Sequence, residues 1–212
     1  MFGNISKALV LAPHTDDGEF GAGGTIASMI RQGIDVHYVA FSACQDSIPE
    51  GWPKDVLLKE VREATAIMGI PETNLRVLDF VVRRFDSHRQ EILQSMVDLN
   101  RDLRPDLVLM PSREDLHQDH LTVAQEGLRA FKRTSILAYE IPWNTIQFPA
   151  EGFVSLTESD VRTKLEAVTA YRSQADRPYA SAEYLRSHLI TRGLQIGCDY
   201  AEAFNVVRWV MG

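Results

Sequence analysis

The sequence predicts an α/β fold, a Rossmann-like and mostly parallel sheet flanked by helices, with its site at the carboxyl ends of the strands. Three observations lead there. Short apolar runs alternate with longer amphipathic stretches, which is the pattern of βαβ units. Clusters of histidine and aspartate directly follow two of the apolar runs, where parallel sheets bind their ligands. The 212 residues are 45% hydrophobic and 24% charged, an ordinary globular balance with enough chain to bury a core without disulfides. With no repeat, low-complexity tract or linker in view, a single domain over residues 1–212 is expected.

Taken in order, Lys7 to Ala12 is a short apolar run suited to a buried strand. Gly24 to Arg31 has helical spacing and stops before Gly33, a plausible C-cap. Asp35 to Ser42 is rich in β-formers and reads as the second strand. Lys54 to Met68 is helical and ends at Gly69-Ile70-Pro71. Leu75 to Phe80 is the third strand candidate. His88 to Leu103 is an amphipathic helix terminated by Arg104-Pro105. Asp106 to Met110 is the fourth strand, closed by Pro111, followed by a helix over Leu121 to Phe131 and a strand over Ser135 to Ile141. Trp143 to Gly152 reads as a loop. Asp160 to Tyr171 and Ser181 to Arg192 read as helices, and Cys198 to Val210 is mixed.

A formal net charge of −7 argues against a nucleic-acid partner, which needs a basic face. The two cysteines, Cys44 and Cys198, are too few for a disulfide scaffold and form no CxxC pattern, so reduced thiols are expected. No apolar run reaches the length of a membrane span. The first residues lack the pattern of a signal peptide. Together these predict a cytoplasmic protein.

The first cluster is APHTDDGEFGAGG, Ala12 to Gly24. Its glycines do not fit the G-x-G-x-x-G spacing of a dinucleotide loop, and its acids would repel phosphate. A metal explains it better. His14 and Asp17 are three apart, and a catalytic zinc site takes three protein ligands plus water. A further ligand should then come from REDLHQDHLTV, Arg113 to Val123, where His117 and His120 are three apart with Asp119 between them. Helix capping is the competing explanation for either cluster alone. It explains the two together less well, because both hold groups that a cap does not need. The glycines of the first cluster would let the chain turn tightly from strand to helix and leave room for substrate. His37, His88 and His188 lie outside both clusters and are expected to be structural.

The PHxDD turn followed by FGAGGTIA, and the later HxDH, resemble the PIG-L / LmbE-like zinc-dependent N-deacetylases. RPDLVLMPSREDLHQDH, KLEAVTAYRSQ and RGLQIGCDYAEAFNVVR extend the resemblance along the chain. It implies that His14, Asp17 and His120 bind one zinc ion. It also implies that Asp16 is the general base and that His117, oriented by Asp119, is its partner across the site. Thr15 departs from the family's usual HPDD, where proline would fix φ, and Gly18 is a second departure.

The expected chemistry is hydrolysis of the acetyl amide of an amino sugar or sugar conjugate. Zinc would acidify water and polarise the carbonyl, Asp16 would move the proton, and His117, held cationic by Asp119, would donate to the oxyanion. Arg62, in the segment resembling the family's R-x-E-A helix, Arg113 and Trp143 are candidate substrate contacts. The expected partner is a small amino-sugar substrate, free or nucleotide- or carrier-linked, and the resemblance makes a homo-oligomer compatible with this reading. Alternatives are a zinc amidohydrolase acting on a different N-acyl group such as formyl or on a non-sugar amide, a silent metal-binding protein, and a non-catalytic nucleotide-binding Rossmann module.

Overall fold

A computed structural model describes residues 2–211. Seven strands and six helices alternate through most of the chain: β1 (Lys7–Ala12), α1 (Asp17–Arg31), β2 (Asp35–Ala40), α2 (Val56–Ile67), β3 (Leu75–Val77), α3 (Arg89–Leu103), β4 (Leu107–Pro111), α4 (Gln118–Ala130), β5 (Ser135–Tyr139), β6 (Gly152–Ser155), α5 (Glu158–Thr169), α6 (Ala182–Leu194) and β7 (Ala201–Arg208). They build one sheet in the order β3-β2-β1-β4-β5-β7-β6. The first five strands in that order are parallel, while β7 runs antiparallel to both β5 and β6. The α/β, mostly parallel architecture expected from the alternation is the one observed.

Both faces of the sheet are covered, and the strands alternate their side chains accordingly. Ala8, Val10 and Ala12 of β1 join a core with Ile26 and Met29 of α1, Val61 of α2 and Val161 of α5. Leu9 and Leu11 point to the opposite core, with Ile92 and Met96 of α3 and Val123 of α4. β1 and β4 are neighbours, with Val10 opposite Leu109. The chain winds outward from β1 through β2 to β3, and outward from β4 to β5. The β1/β4 boundary is therefore the topological switch point, and the crevice above it is where such sheets hold a ligand. The two His/Asp clusters sit on that rim.

α1 begins at Asp17, seven residues earlier than its apolar periodicity suggests, and it breaks at Ala22 (φ −143°, ψ 16°). The glycines of this segment are therefore helical rather than a tight turn, and what they provide is closeness. A Cβ on Gly21 would stand 2.2 Å from Cδ2 of buried Tyr139, and one on Gly18 would stand 2.5 Å from Cε2 of buried Tyr38.

The break is stitched from outside. A kink leaves carbonyls before it and N–H groups after it without helical partners. Lys164 Nζ of α5 donates to the Phe20 carbonyl (2.6 Å), while Glu202 of β7 accepts from Gly24 N–H (3.0 Å) and Thr25 N–H (2.7 Å). Lys164 and Glu202 also pair with each other at 2.6 Å, both buried.

The remaining differences are at element ends. β2, β3 and β5 stop two or three residues before the expected ends. The stretch expected to be a loop yields β6 at its end, and the mixed segment contains β7.

Candidate functional site

The loop after β1 carries His14, Thr15 and Asp16 into α1, and the loop after β4 carries Asp115 and His117 into α4. His14 Nδ1, Asp17 Oδ2 and His120 Nε2 converge in a small triangle. Asp17 Oδ2 lies 3.1 Å from each imidazole nitrogen, and the two nitrogens are 3.2 Å apart. His117 is near, since ring nitrogens of His14, His117 and His120 all lie within 4.8 Å of one another. This histidine group could hold a metal ion, and the tightest three-atom set within it takes Asp17 with His14 and His120.

Each corner is held from behind. Asp17 Oδ2 accepts from the His14 backbone N–H (2.8 Å). Asp115 Oδ2 lies 2.7 Å from His120 Nδ1, and Asp115 Oδ1 accepts from the His117 N–H (2.8 Å). Asp119 Oδ2 lies 3.0 Å from His14 Nε2 and accepts from the Arg83 N–H (2.6 Å). Carboxylates on the far ring nitrogen fix the orientation of a histidine and raise its basicity as a ligand.

This arrangement corrects the expectation that Asp119 orients His117 and keeps it cationic. The Asp119 carboxylate is spent on His14 and on the loop before α3. His117 is instead the N-cap of α4, and its Nδ1 accepts from the Asp119 backbone N–H (3.2 Å). Burial and the neighbouring His120 and His14 charges push its pKa down to about 4, so it is neutral at pH 7. With Nδ1 accepting, its proton is on Nε2.

Asp16 behaves in the opposite way. It occupies the N-cap position of α1 but makes no capping hydrogen bond with its side chain. The carboxyl lines the cavity instead, and burial and the adjacent Asp17 raise its pKa to about 6. Burial alone would lower His14, but Asp17 and Asp119 outweigh it and lift its pKa to about 9. His120 is lifted to about 10, against burial, by Asp17 and Asp115. Thr15 is buried, and its carbonyl accepts from the hydroxyls of Tyr38 (2.9 Å) and Tyr171 (2.6 Å). Both hydroxyl oxygens also lie within hydrogen-bond reach of the buried Glu19 carboxyl, which shares their protons with the Thr15 carbonyl. The turn that lacks the family proline is thus fixed from below.

The cavity above these residues has a volume of about 350 Å³. His14, Asp16, Asp17, His117 and His120 form one part of it. Aromatic groups form another part: Trp143 stacks on Tyr179 (centroids 4.0 Å, 11°) and meets Phe20 edge-on at 5.0 Å. Of the three candidate substrate contacts, Trp143 lines the cavity, while Arg62 and Arg113 are exposed and do not. Arg62 lies on the outward face of α2 and pairs with Glu72 at 3.6 Å, because α2 turns Leu57, Val61 and Ala64 inward. His37 pairs with Asp35 and His188 with Glu140, and neither they nor His88 line this cavity.

Sequence reasoning missed Arg83, Gln174, Arg177 and Tyr179 on the cavity wall, and it missed Asp115 behind His120. Asp115 had a signal, a carboxylate five residues before a ligand histidine in the same loop. Gln174 closes the KLEAVTAYRSQ segment, which carried a resemblance but no assigned role, and Arg83, Arg177 and Tyr179 come from segments with no chemical pattern.

A family profile described as GlcNAc-PI de-N-acetylase, PIG-L, matches residues 9–131, more than half of the chain. The chain belongs to the PIG-L family. That match spans both clusters, from β1 through α4. Among curated proteins this PIG-L chain is 29% identical to diacetylchitobiose deacetylase of Thermococcus kodakarensis, over 97% of the chain and 85% of the relative. Among solved structures it is similar to the conserved protein TT1542 from Thermus thermophilus, with TM-score 0.81 and 26% identity over 98% of this chain and 97% of that one. The fold is shared more widely. The 4-carboxy-2-hydroxymuconate hydratase of Pseudomonas putida superposes with TM-score 0.77 at 20% identity, covering 98% of each chain.

Proposed function

We propose that this protein is a zinc-dependent deacetylase that hydrolyses the acetyl amide of an N-acetylated amino sugar or sugar conjugate. The observation that carries the reading is the triangle of His14, Asp17 and His120 with an uncapped, cavity-facing Asp16 beside it. The donor set fits zinc. Nitrogen and oxygen ligands bind it at about 2.0–2.2 Å in near-tetrahedral array, which separates neighbouring donors by about 3.3–3.5 Å. The observed separations of 3.1–3.2 Å need only a slight opening. His14, Asp17 and His120 would hold the ion, leaving one side open to the cavity. A bound zinc supplies Lewis acidity, polarising the amide carbonyl and acidifying water.

The chain's own groups do the rest. Asp16, whose pKa burial and Asp17 raise to about 6 in the metal-free site, is a stronger base than an ordinary carboxylate and is placed to accept the proton of the attacking water. It then returns that proton to the departing amine, which leaves as the free amino sugar alongside acetate. His117 presents Nε2–H to the carbonyl oxygen, where negative charge develops. With Nδ1 occupied by the Asp119 backbone N–H, Nε2 is the nitrogen left to donate. Asp119 and Asp115 hold the rings of His14 and His120 at their far nitrogens. Trp143 and Tyr179 offer flat faces on which a sugar ring can rest.

Purified zinc-loaded protein incubated with a panel of N-acetyl and N-formyl amino sugars should release acetate, detected enzymatically, and lose that activity on chelation. Release of formate alone would move the bond to another acyl group. Neither acid, together with hydration of an unsaturated carboxylate, would favour the chemistry named for the Pseudomonas neighbour.

A further inference from the structure

Two cations on the cavity wall have no assigned role in this chemistry beyond the pull of the Arg177 charge on Asp16, which opposes the rise of its pKa. Arg83 comes from the loop between β3 and α3, and Arg177 from the loop between α5 and α6. Neither forms an ion pair among the described residues, although both line the cavity. Acids are plentiful in a chain of net charge −7, yet neither of these two cavity guanidinium groups has one as an ion-pair partner among the described residues.

Arg177 is held in place without being neutralised. Its Nε donates to Gln174 Oε1 (2.6 Å) and one terminal nitrogen donates to Tyr179 Oη (2.5 Å), both neutral acceptors. The full charge and the remaining donors of the fork stay available. Arg83 stands in the left-handed region (φ +64°), which a non-glycine residue adopts only where the surroundings impose it. The imposition is visible in its N–H, bound to Asp119 Oδ2 at 2.6 Å. Its side chain is therefore launched from a backbone fixed beside the His14–Asp119 pair. Arginine forks match carboxylate and phosphate oxygens, and they bind them best when pre-organised.

We infer that the cavity selects an anionic substrate, an N-acetyl amino sugar bearing a phosphate or carboxylate group, with that oxyanion held by Arg83 and Arg177 and the sugar ring against Trp143. The acetyl half of this inference rests on the deacetylase reading. The anion subsite is measured separately from it.

The test compares N-acetylglucosamine with its 1-phosphate, its 6-phosphate and N-acetylmuramic acid, using zinc-loaded wild type, Arg177→Gln and the double variant Arg83→Gln/Arg177→Gln. The expected result is kcat/KM about tenfold to a hundredfold higher for at least one anionic sugar than for the neutral one, the scale of one charge-assisted hydrogen bond. That ratio falls in Arg177→Gln and approaches one in the double variant, and KM for the anionic sugar rises with salt. The phosphates and the lactyl carboxylate tell the two anion sources apart. A wild-type ratio near one, or a ratio that survives both substitutions, overturns the subsite while leaving the deacetylase reading intact. If no sugar is turned over, calorimetric binding decides. Tighter binding of the phosphates than of the neutral sugar, lost in the double variant, supports the subsite, and equal binding overturns it.

Discussion

Replacing Lys164 with methionine should destabilise the protein more than any single surface change, and the structure says by how much. Lys164 and Glu202 are both 3% exposed and sit 2.6 Å apart across the break in α1. Removing one partner of a buried pair leaves the other charge uncompensated, a cost of about 3–5 kcal/mol. The Phe20 carbonyl also loses its donor, although methionine keeps most of the packed volume. For a chain of this size each kcal/mol moves Tm by about 2–4 °C, so Lys164→Met should lower it by about 6–20 °C. The matching Glu202→Gln change keeps one acceptor oxygen for either Gly24 or Thr25 N–H, turns a donor toward the other, and removes the charge. The double variant should therefore cost less than the two single changes summed, with a coupling of at least about 1 kcal/mol. Urea denaturation of the four proteins gives the cycle directly. A Lys164→Met loss below about 1 kcal/mol, or additive costs, would refute the claim that the pair stitches the kinked helix.

Three further outcomes follow from the same geometry. Gly21→Ala should gain up to about 1 kcal/mol of helix propensity but lose more to overpacking, about 1–3 kcal/mol, because Tyr139 is fully buried and its hydroxyl is tied to the Leu11 carbonyl; a rise in Tm would show that the ring yields. Asp115→Asn removes the charge behind His120 and should weaken metal binding about 10–100-fold in a competitive chelator titration, with an unchanged Kd counting against the role assigned to it. In the metal-free protein His14 and His120 titrate near 9 and 10, so at pH 7 both carry a proton that zinc must displace. Loading in weak buffer should release up to two protons per chain at pH 7, and apparent affinity should climb with pH until about 10; loading without proton release would contradict the raised values. The stability these two protonated histidines give the metal-free fold is fully present below the ordinary 6.5 and is lost as pH rises through 9–10.

What could be read from the sequence was whatever local spacing carries. The sheet was legible because β1 and β4 are apolar runs buried on both faces and β2 is rich in β-formers, and the two clusters were legible because each is a short contiguous stretch at the end of a strand. The start of α1 was not legible. GEFGAGG has low helix propensity, and it is helical here because Tyr38, Tyr139, Lys164 and Glu202, all distant in sequence, need its backbone close. The same contacts give a physical meaning to C-terminal motifs that carry no chemistry of their own. In KLEAVTAYRSQ, Lys164 supports the break in α1 and Ser173 donates to buried Glu60 of α2 (2.6 Å). In YAEAF, Glu202 accepts from the orphaned N–H groups. The role of Asp119 misled because the resemblance attached its carboxylate to His117, whereas the first turn of α4 directs it toward His14. Arg83 and Arg177 carried no signal at all, since isolated arginines in loops are ordinarily solvated.

The central claim is that His14, Asp17 and His120 hold one catalytic divalent ion while Asp16 moves the proton. The measurement that tests it most directly pairs metal analysis with acetate release for wild type, His120→Ala and Asp16→Asn. The account predicts about one ion per chain in wild type and in Asp16→Asn, with turnover in the latter reduced about 10²–10⁴-fold. It predicts loss of both metal and activity in His120→Ala. A wild-type protein that releases acetate without a bound ion, or an Asp16→Asn protein that turns over at the wild-type rate, would contradict it.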